Sequence, residues 1–196
     1  MPYVGVRRWA LWSGAAAPVV LVATMIAANV LISEDYSAVR QTISDLATID
    51  GGGWVMGVGI GLSGALSVVT SLGLVGVRRL ARLTLGAAGS CGVLVALIPV
   101  NVNQPLHLLF AAGNLGLFAL WPILSATRSP IAPVTLRPAT AIAATTTVFA
   151  LLGWTLIETQ GGGELGIAER FSVTANLIWP LVVAIDFTRR RRAGPD

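Results

Sequence analysis

The chain has no lysine, one histidine and one cysteine among its 196 residues, and only 11% of its side chains are charged. Each scarcity removes a class of function. A single cysteine, Cys91, inside an apolar run cannot build a disulfide framework. A single histidine, His107, with no second at a ligand spacing gives no zinc site, and the pattern implies no metal and no cofactor. The glycines at Gly161 to Gly163 are followed by no lysine, so they do not make a phosphate-cradling loop. Scarce charge, set against 55% hydrophobic residues and a mean hydropathy of +0.78, excludes an ordinary soluble domain.

What the sequence does contain is a series of apolar runs: Trp9 to Ile32, Trp54 to Val77, Leu83 to Asn101, Leu106 to Ala126, Ala139 to Ile157 and Arg170 to Phe187. Each approaches the ~20 residues that a helix needs to cross about 30 Å of hydrocarbon. Lipid offers no partner to a free backbone N–H or C=O, and no run alternates as a barrel strand would, so each is expected to be helical. The expectation is therefore an all-α fold, a polytopic bundle of six transmembrane helices with a short outer interfacial helix. The breaks are short and rich in Gly, Pro or charge, which leaves one integral membrane domain over residues 1–196. The first run follows Arg7 and Arg8 like a signal peptide, but it is too long for that and five more runs follow, so it reads as a retained helix.

The arginines orient the bundle. With the N-terminus inside, Arg7, Arg8, Arg78, Arg79, Arg82, Arg128, Arg137 and Arg189 to Arg192 are cytoplasmic, and only Arg40 and Arg170 are outside. This bias places both termini in the cytoplasm of a multipass plasma-membrane protein. Glu34, Asp35, Asp45, Asp50, Glu158, Glu164 and Glu169 then fall at the outer side, with Asp186 and Asp196 inside. The TRRRR tail suits anionic lipid headgroups, at about 1 kcal/mol per Arg near the surface, and no nucleic-acid module accompanies it. Asp186 reads as a structural partner of Arg189 and Arg190, three and four residues on.

Between the first two runs lies SEDYSAVRQTISDLAT, residues 33–48. Tyr36, Val39, Ile43 and Leu46 recur at helical spacing, so this stretch is expected to be a short helix on the outer surface, either a connector or a lid over a pocket. Two polar stripes point to what would lie below. His107 and Asn114 are seven residues apart, as are Glu169 and Asn176, so each pair shares a helix face. An intramembrane Asn normally faces the bundle interior, since lipid would leave its amide unpaired. Asn101 and Asn103 add amides in the loop NVNQP. The simplest arrangement is an outer pocket bounded by helices three, four and six, with Asp45, His107 and Glu169 as acid-base groups and Arg40, Ser44, Asn101, Asn103, Asn114, Arg170 and Asn176 as substrate contacts.

Each candidate has a plainer reading. His107 can be a hydrogen-bonded interfacial histidine, Asp45 a solvated helix residue, and Glu169 and Arg170 surface charges worth ~0–1 kcal/mol if paired. A carboxylate at position 169 would also be favoured by a helix N-terminus. Ser44, His107 and Asp45 can be written as a triad, but any chain with one histidine invites that. The GxxxG pair Gly57 and Gly61, and the small face Gly86, Gly89 and Gly92, suit close helix packing within the chain or in a homo-oligomer. Tyr36, Trp54, Phe110, Trp154 and Phe171 fit an outer aromatic belt or, alternatively, a pocket lining that stabilises a cation, by ~2 kcal/mol each when desolvated.

The segments YSAVRQTISDLA, QPLHLLF and GIAERFSVTANLIW resemble the bacterial multipass membrane proteins grouped as domain-of-unknown-function family 998, over about Trp9 to Phe187. The resemblance implies a compact six-helix membrane protein with no established activity. Carried over by position, its characteristic polar residues are Ser44, Asp45, His107, Glu169 and Arg170. Two functions are expected on these grounds. One is acid-base chemistry on a membrane lipid or isoprenoid, such as cyclisation or hydrolysis; the other is a non-catalytic membrane subunit or small-solute carrier.

Overall fold

The structure, a computed structural model, describes residues 5–32 and 35–193. Six helices are long and apolar enough to cross a membrane: α1 (Arg8–Leu31), α3 (Gly53–Gly73), α4 (Arg79–Leu97), α5 (Gln104–Ser125), α6 (Pro138–Glu158) and α7 (Leu165–Ala193), with α2 (Ile43–Leu46) a single short helix between the first two. No strand occurs among the described residues. The fold is thus the expected polytopic helical bundle.

The helix ends differ from the apolar runs for identifiable reasons. α4 starts at Arg79 and α7 starts at Leu165, so Arg79 and Arg82 in the one, and Glu169 and Arg170 in the other, lie within helices. A charged side chain that reaches solvent or finds hydrogen-bond partners leaves its backbone free to stay helical, which hydropathy alone does not register. α5 starts at Gln104 because the Asn103 side chain accepts the Leu106 N–H at 3.2 Å and Pro105 occupies the first turn. α3 stops at Gly73, and Arg82 donates to the carbonyls of Ser71 (3.0 Å) and Leu72 (2.9 Å) at its end.

Consecutive long helices are neighbours, and α7 returns to pack on α1, so the six close into a ring with α6 the least buried. The core is filled by side chains such as Leu21, Met56, Leu85, Phe118, Trp121 and Val183. Hydrogen bonds tie helices to one another: Ser13 to Thr70 at 2.8 Å and Ser63 to the Ala17 carbonyl at 3.0 Å join α1 to α3, and Asn114 Nδ2 to the Ala88 carbonyl at 2.8 Å joins α5 to α4.

The closest helix approach is not at the GxxxG pair. A Cβ on Gly57 would meet nothing within 4 Å and one on Gly61 only Ala96, whereas one on Gly64 would lie 2.6 Å from the Gly89 carbonyl oxygen, and one on Gly89 would lie 2.6 Å from that of Gly64. Backbone faces backbone there, so α3 and α4 must separate to admit any side chain. Gly64→Val should therefore destabilise the protein by on the order of 1–3 kcal/mol, while Gly57→Val leaves it unchanged. Melting of both variants in detergent checks this; equal melting would place the tight contact elsewhere.

The arginines gather at one end. Arg7 N–H donates to Gly73, Arg78 Nη1 to Ala126 and Arg190 Nη1 to Ile131, which brings the start of α1, the α3–α4 turn, the α5–α6 linker and the end of α7 together. Asp186 sits there too, but its Oδ2 accepts from the N–H (2.9 Å) and hydroxyl (3.0 Å) of Thr135, instead of the arginine partners expected from spacing. The α2 segment occupies the opposite end.

Candidate functional site

The strap between α1 and α3 is not one continuous helix. Its backbone turns at Ser37, whose carbonyl accepts the N–H groups of Arg40 (3.1 Å) and Gln41 (2.8 Å), and it extends at Thr42. Thr42 then caps α2: its Oγ1 accepts the Asp45 N–H at 2.9 Å, and Asp45 Oδ2 accepts the Thr42 N–H at 2.8 Å. This reciprocal capping box starts α2, a helix of one turn. Ile43 and Leu46 are buried beneath it, but Val39 is exposed, so the expected four-residue apolar face is split.

Three side chains from the long helices hold this strap. Glu169 on α7 accepts the Ile43 N–H through Oε2 at 2.7 Å. Arg170, beside it, spreads its guanidinium under the strap: Nη1 donates to the carbonyls of Ala38 (2.9 Å), Gln41 (3.0 Å) and Gly166 (2.7 Å), and Nη2 donates to the Tyr36 hydroxyl. Tyr36 in turn donates to the Thr42 carbonyl at 2.9 Å, and its ring lies 5.7 Å from the guanidinium carbon. Burial pushes the Tyr36 phenol above its ordinary pKa against the opposing pull of Arg170, so it stays protonated and able to donate. Gly166 makes the approach possible, since a Cβ there would lie 2.5 Å from the Ala38 carbonyl oxygen.

The third anchor is His107, 3% exposed at the start of α5. Its Nδ1 lies 2.7 Å from the Ile98 carbonyl oxygen and its Nε2 lies 3.0 Å from Ser44 Oγ. A carbonyl can only accept, so Nδ1 carries the proton, and in the neutral ring Nε2 turns its lone pair to the serine hydroxyl. Ser44, in α2, is half-buried. A serine, an imidazole and a third group that fixes the imidazole's tautomer are the parts that an activated nucleophile requires. The third group is a backbone carbonyl, where the sequence offered Asp45.

The remaining candidates fall into separate levels. Asn114 and Asn176 line a cavity of about 50 Å³ below α2, roofed by Ile43 and bounded by α1, α3, α4, α5 and α7. Asn176 is 3% exposed, and neither its amide oxygen nor its amide nitrogen has a protein partner. Such a cavity has room for about three waters, which would satisfy both atoms, and it is too small for a lipid headgroup. Asp45, His107 and Glu169 do not line it; they converge on α2 above it. Arg40 and Asn101 are exposed, and Asn103 is occupied as the cap of α5.

The aromatic lining expected for a carbocation is not formed. Phe118 is the one aromatic residue on the cavity wall, Trp54 and Phe171 are exposed, and Trp154 packs on Phe171 with ring centres 6.2 Å apart. These form part of the apolar surface at the α2 end. Of the tail arginines expected to contact lipid, Arg190 reaches back to the chain, while the side chains of Arg191 and Arg192 lie outside the described residues.

Sequence reasoning missed Ile98, Gly166 and the role of Tyr36. A backbone carbonyl carries no side-chain signal. Gly166 and Tyr36 do stand in motifs that were recognisable as GIAER and YSAVR, and a glycine one turn before a charged pair is the trace of a close backbone approach.

The sequence model of a family described as "Protein of unknown function (DUF998)" matches residues 15–186. No curated protein and no solved structure matches the chain.

Proposed function

The chain belongs to the DUF998 family, and from the geometry at its α2 end we propose that it is a membrane-embedded serine esterase acting on a lipid-borne carboxylic ester. The carrying observation is the Ser44 to His107 contact with the imidazole tautomer set by Ile98. In this reading the Ser44 hydroxyl proton passes to His107 Nε2 as Oγ attacks the ester carbonyl. The C–O bond to the alcohol breaks, and the alcohol leaves with the proton from Nε2. Water, deprotonated by the same nitrogen, then releases the acid and restores Ser44.

Glu169, Arg170 and Asp45 are positioning residues. They fix the backbone on either side of Ser44, and a nucleophile displaced by an ångström loses much of its advantage. The substrate class is supported by the surroundings, because Val39, Trp54, Leu106 and Phe171 leave apolar surface exposed around the strap. An ester presented from the bilayer can slide along that surface, whereas isoprenoid cyclisation has no aromatic cradle to draw on. The competing reading is a non-catalytic subunit in which His107 merely pins α2. The two share every bond and differ in turnover, so release of fatty acid from reconstituted ester lipids by wild-type protein and Ser44→Ala decides between them.

The proposal puts the strap on the outer face of the plasma membrane, with both termini cytoplasmic, a reading supported by the arginine asymmetry. In a variant lacking Cys91, an impermeant thiol reagent applied to intact cells should label a cysteine placed at Ala47 and not one placed at Ala193. The reverse labelling would put the site inside.

A further inference from the structure

A second cavity, of about 170 Å³, opens at the arginine-rich end, between the α3–α4 turn and the α5–α6 linker. Its wall carries Arg78, the hydroxyl-bearing residues Ser125, Thr127 and Ser129, and Gly76. The linker is held in shape by its own backbone: Thr127 N–H donates to Leu136 at 2.8 Å, and Thr127 Oγ1 accepts the Ser129 N–H at 3.3 Å. Thr127 therefore has its hydroxyl proton to give. Ser125 Oγ is committed to the Pro122 carbonyl at 2.7 Å.

Charge decides what such a cavity takes. The hydrogen bond from Arg78 to the Ala126 carbonyl is 3.5 Å long and so holds the guanidinium weakly. Arg79, Arg128 and Arg137 are exposed at the same end, and the acid described there, Asp186, is occupied by Thr135. A cation with donors to spare, hydroxyls beside it and no free carboxylate nearby among the described residues selects an anion whose several oxygens can accept together. We infer that this cavity binds a phosphate ester, with Arg78 as the charged contact and Thr127 and Ser129 as hydroxyl donors. A phospholipid headgroup and a free phosphate ester are the two sources of that chemistry, and a cluster of arginines at one end of a membrane bundle suits the first. This site is separate from the α2 end and does not depend on the proposed hydrolysis.

Native mass spectrometry of the full chain, titrated with phosphatidylglycerol and with phosphatidylcholine, tests the inference, with inorganic phosphate as competitor. Arg78→Gln should weaken phosphatidylglycerol binding about tenfold and Ser129→Ala about threefold, while Arg8→Gln, equal in charge and at the same end but not on the cavity wall, changes it little. Circular dichroism melting confirms that each variant is folded. Displacement by millimolar inorganic phosphate would assign the site to free phosphate esters; persistence of the bound lipid would assign it to the headgroup. Equal losses for Arg8→Gln and Arg78→Gln would overturn it, leaving a diffuse positive field, and so would unchanged binding in Arg78→Gln.

Discussion

Ester hydrolysis by the purified protein should fall by on the order of 10³-fold or more in Ser44→Ala and by a similar factor in His107→Gln, with little change in melting temperature in the second. Glutamine offers one donor and one acceptor at nearly the reach of the imidazole, so it can still bridge Ile98 and Ser44, but it cannot take a proton. The comparison separates pinning from catalysis. Loss of stability with no catalytic rate to lose would make His107 a structural pin, whereas loss of rate with the fold intact makes it a base. The double variant should be no slower than either single one, since a nucleophile and its base act as a unit.

The next largest effect belongs to Arg170. Its guanidinium meets three backbone carbonyls and the Tyr36 hydroxyl. Hydrogen bonds from a charged group are worth roughly 1.5–3 kcal/mol each, and no substitute reproduces the flat fork that reaches all of them. Arg170→Lys should therefore behave almost like Arg170→Ala. In hydrogen exchange, the amides of Gln41, Ile43 and Ile167, which bond to Ser37, Glu169 and Val39, should lose protection by on the order of 100-fold, at 1.4 kcal/mol per decade, while those of α3 and α4 keep theirs. Full protection in Arg170→Lys would mean that charge alone holds the strap.

These two residues also show how far the sequence could be read. The six spans were legible because each one has to satisfy its own backbone in lipid, and hydropathy reports that demand directly. Their ends were less so: Arg79 and Glu169 lie inside helices although they stand outside the apolar runs. The seven-residue stripes placed His107 above Asn114 and Glu169 above Asn176 on shared faces, but periodicity gives no depth. It could not say that the upper pair would bind the strap and the lower pair line a separate small cavity. Glycine spacing misled in the same way. Gly57 and Gly61 fit the motif, yet close packing needs a small residue opposite as well, and Gly64 finds one in Gly89.

The capping box at Thr42 and Asp45 was written in the sequence, as T-x-x-D ahead of an apolar residue. The helical spacing of Tyr36, Val39, Ile43 and Leu46 obscured it, because periodicity within a strap does not reveal a break. That break presents Ser44 to His107. A continuous helix over the same residues would have joined Ile43 to the turn before it, where the N–H now given to Glu169 would have been used within the helix.

The most direct measurement is covalent. A fluorophosphonate reacts with a serine whose hydroxyl is activated by a neighbouring base and is slow toward an ordinary one, so it can be applied to the wild-type protein in lipid nanodiscs and followed by peptide mass spectrometry. The proposed chemistry predicts one phosphonate adduct, on Ser44, that is lost in His107→Gln although that variant remains folded. A wild-type protein that acquires no adduct on Ser44, or one whose Ser44 is modified equally fast without His107, would contradict it and leave the contact as a pin.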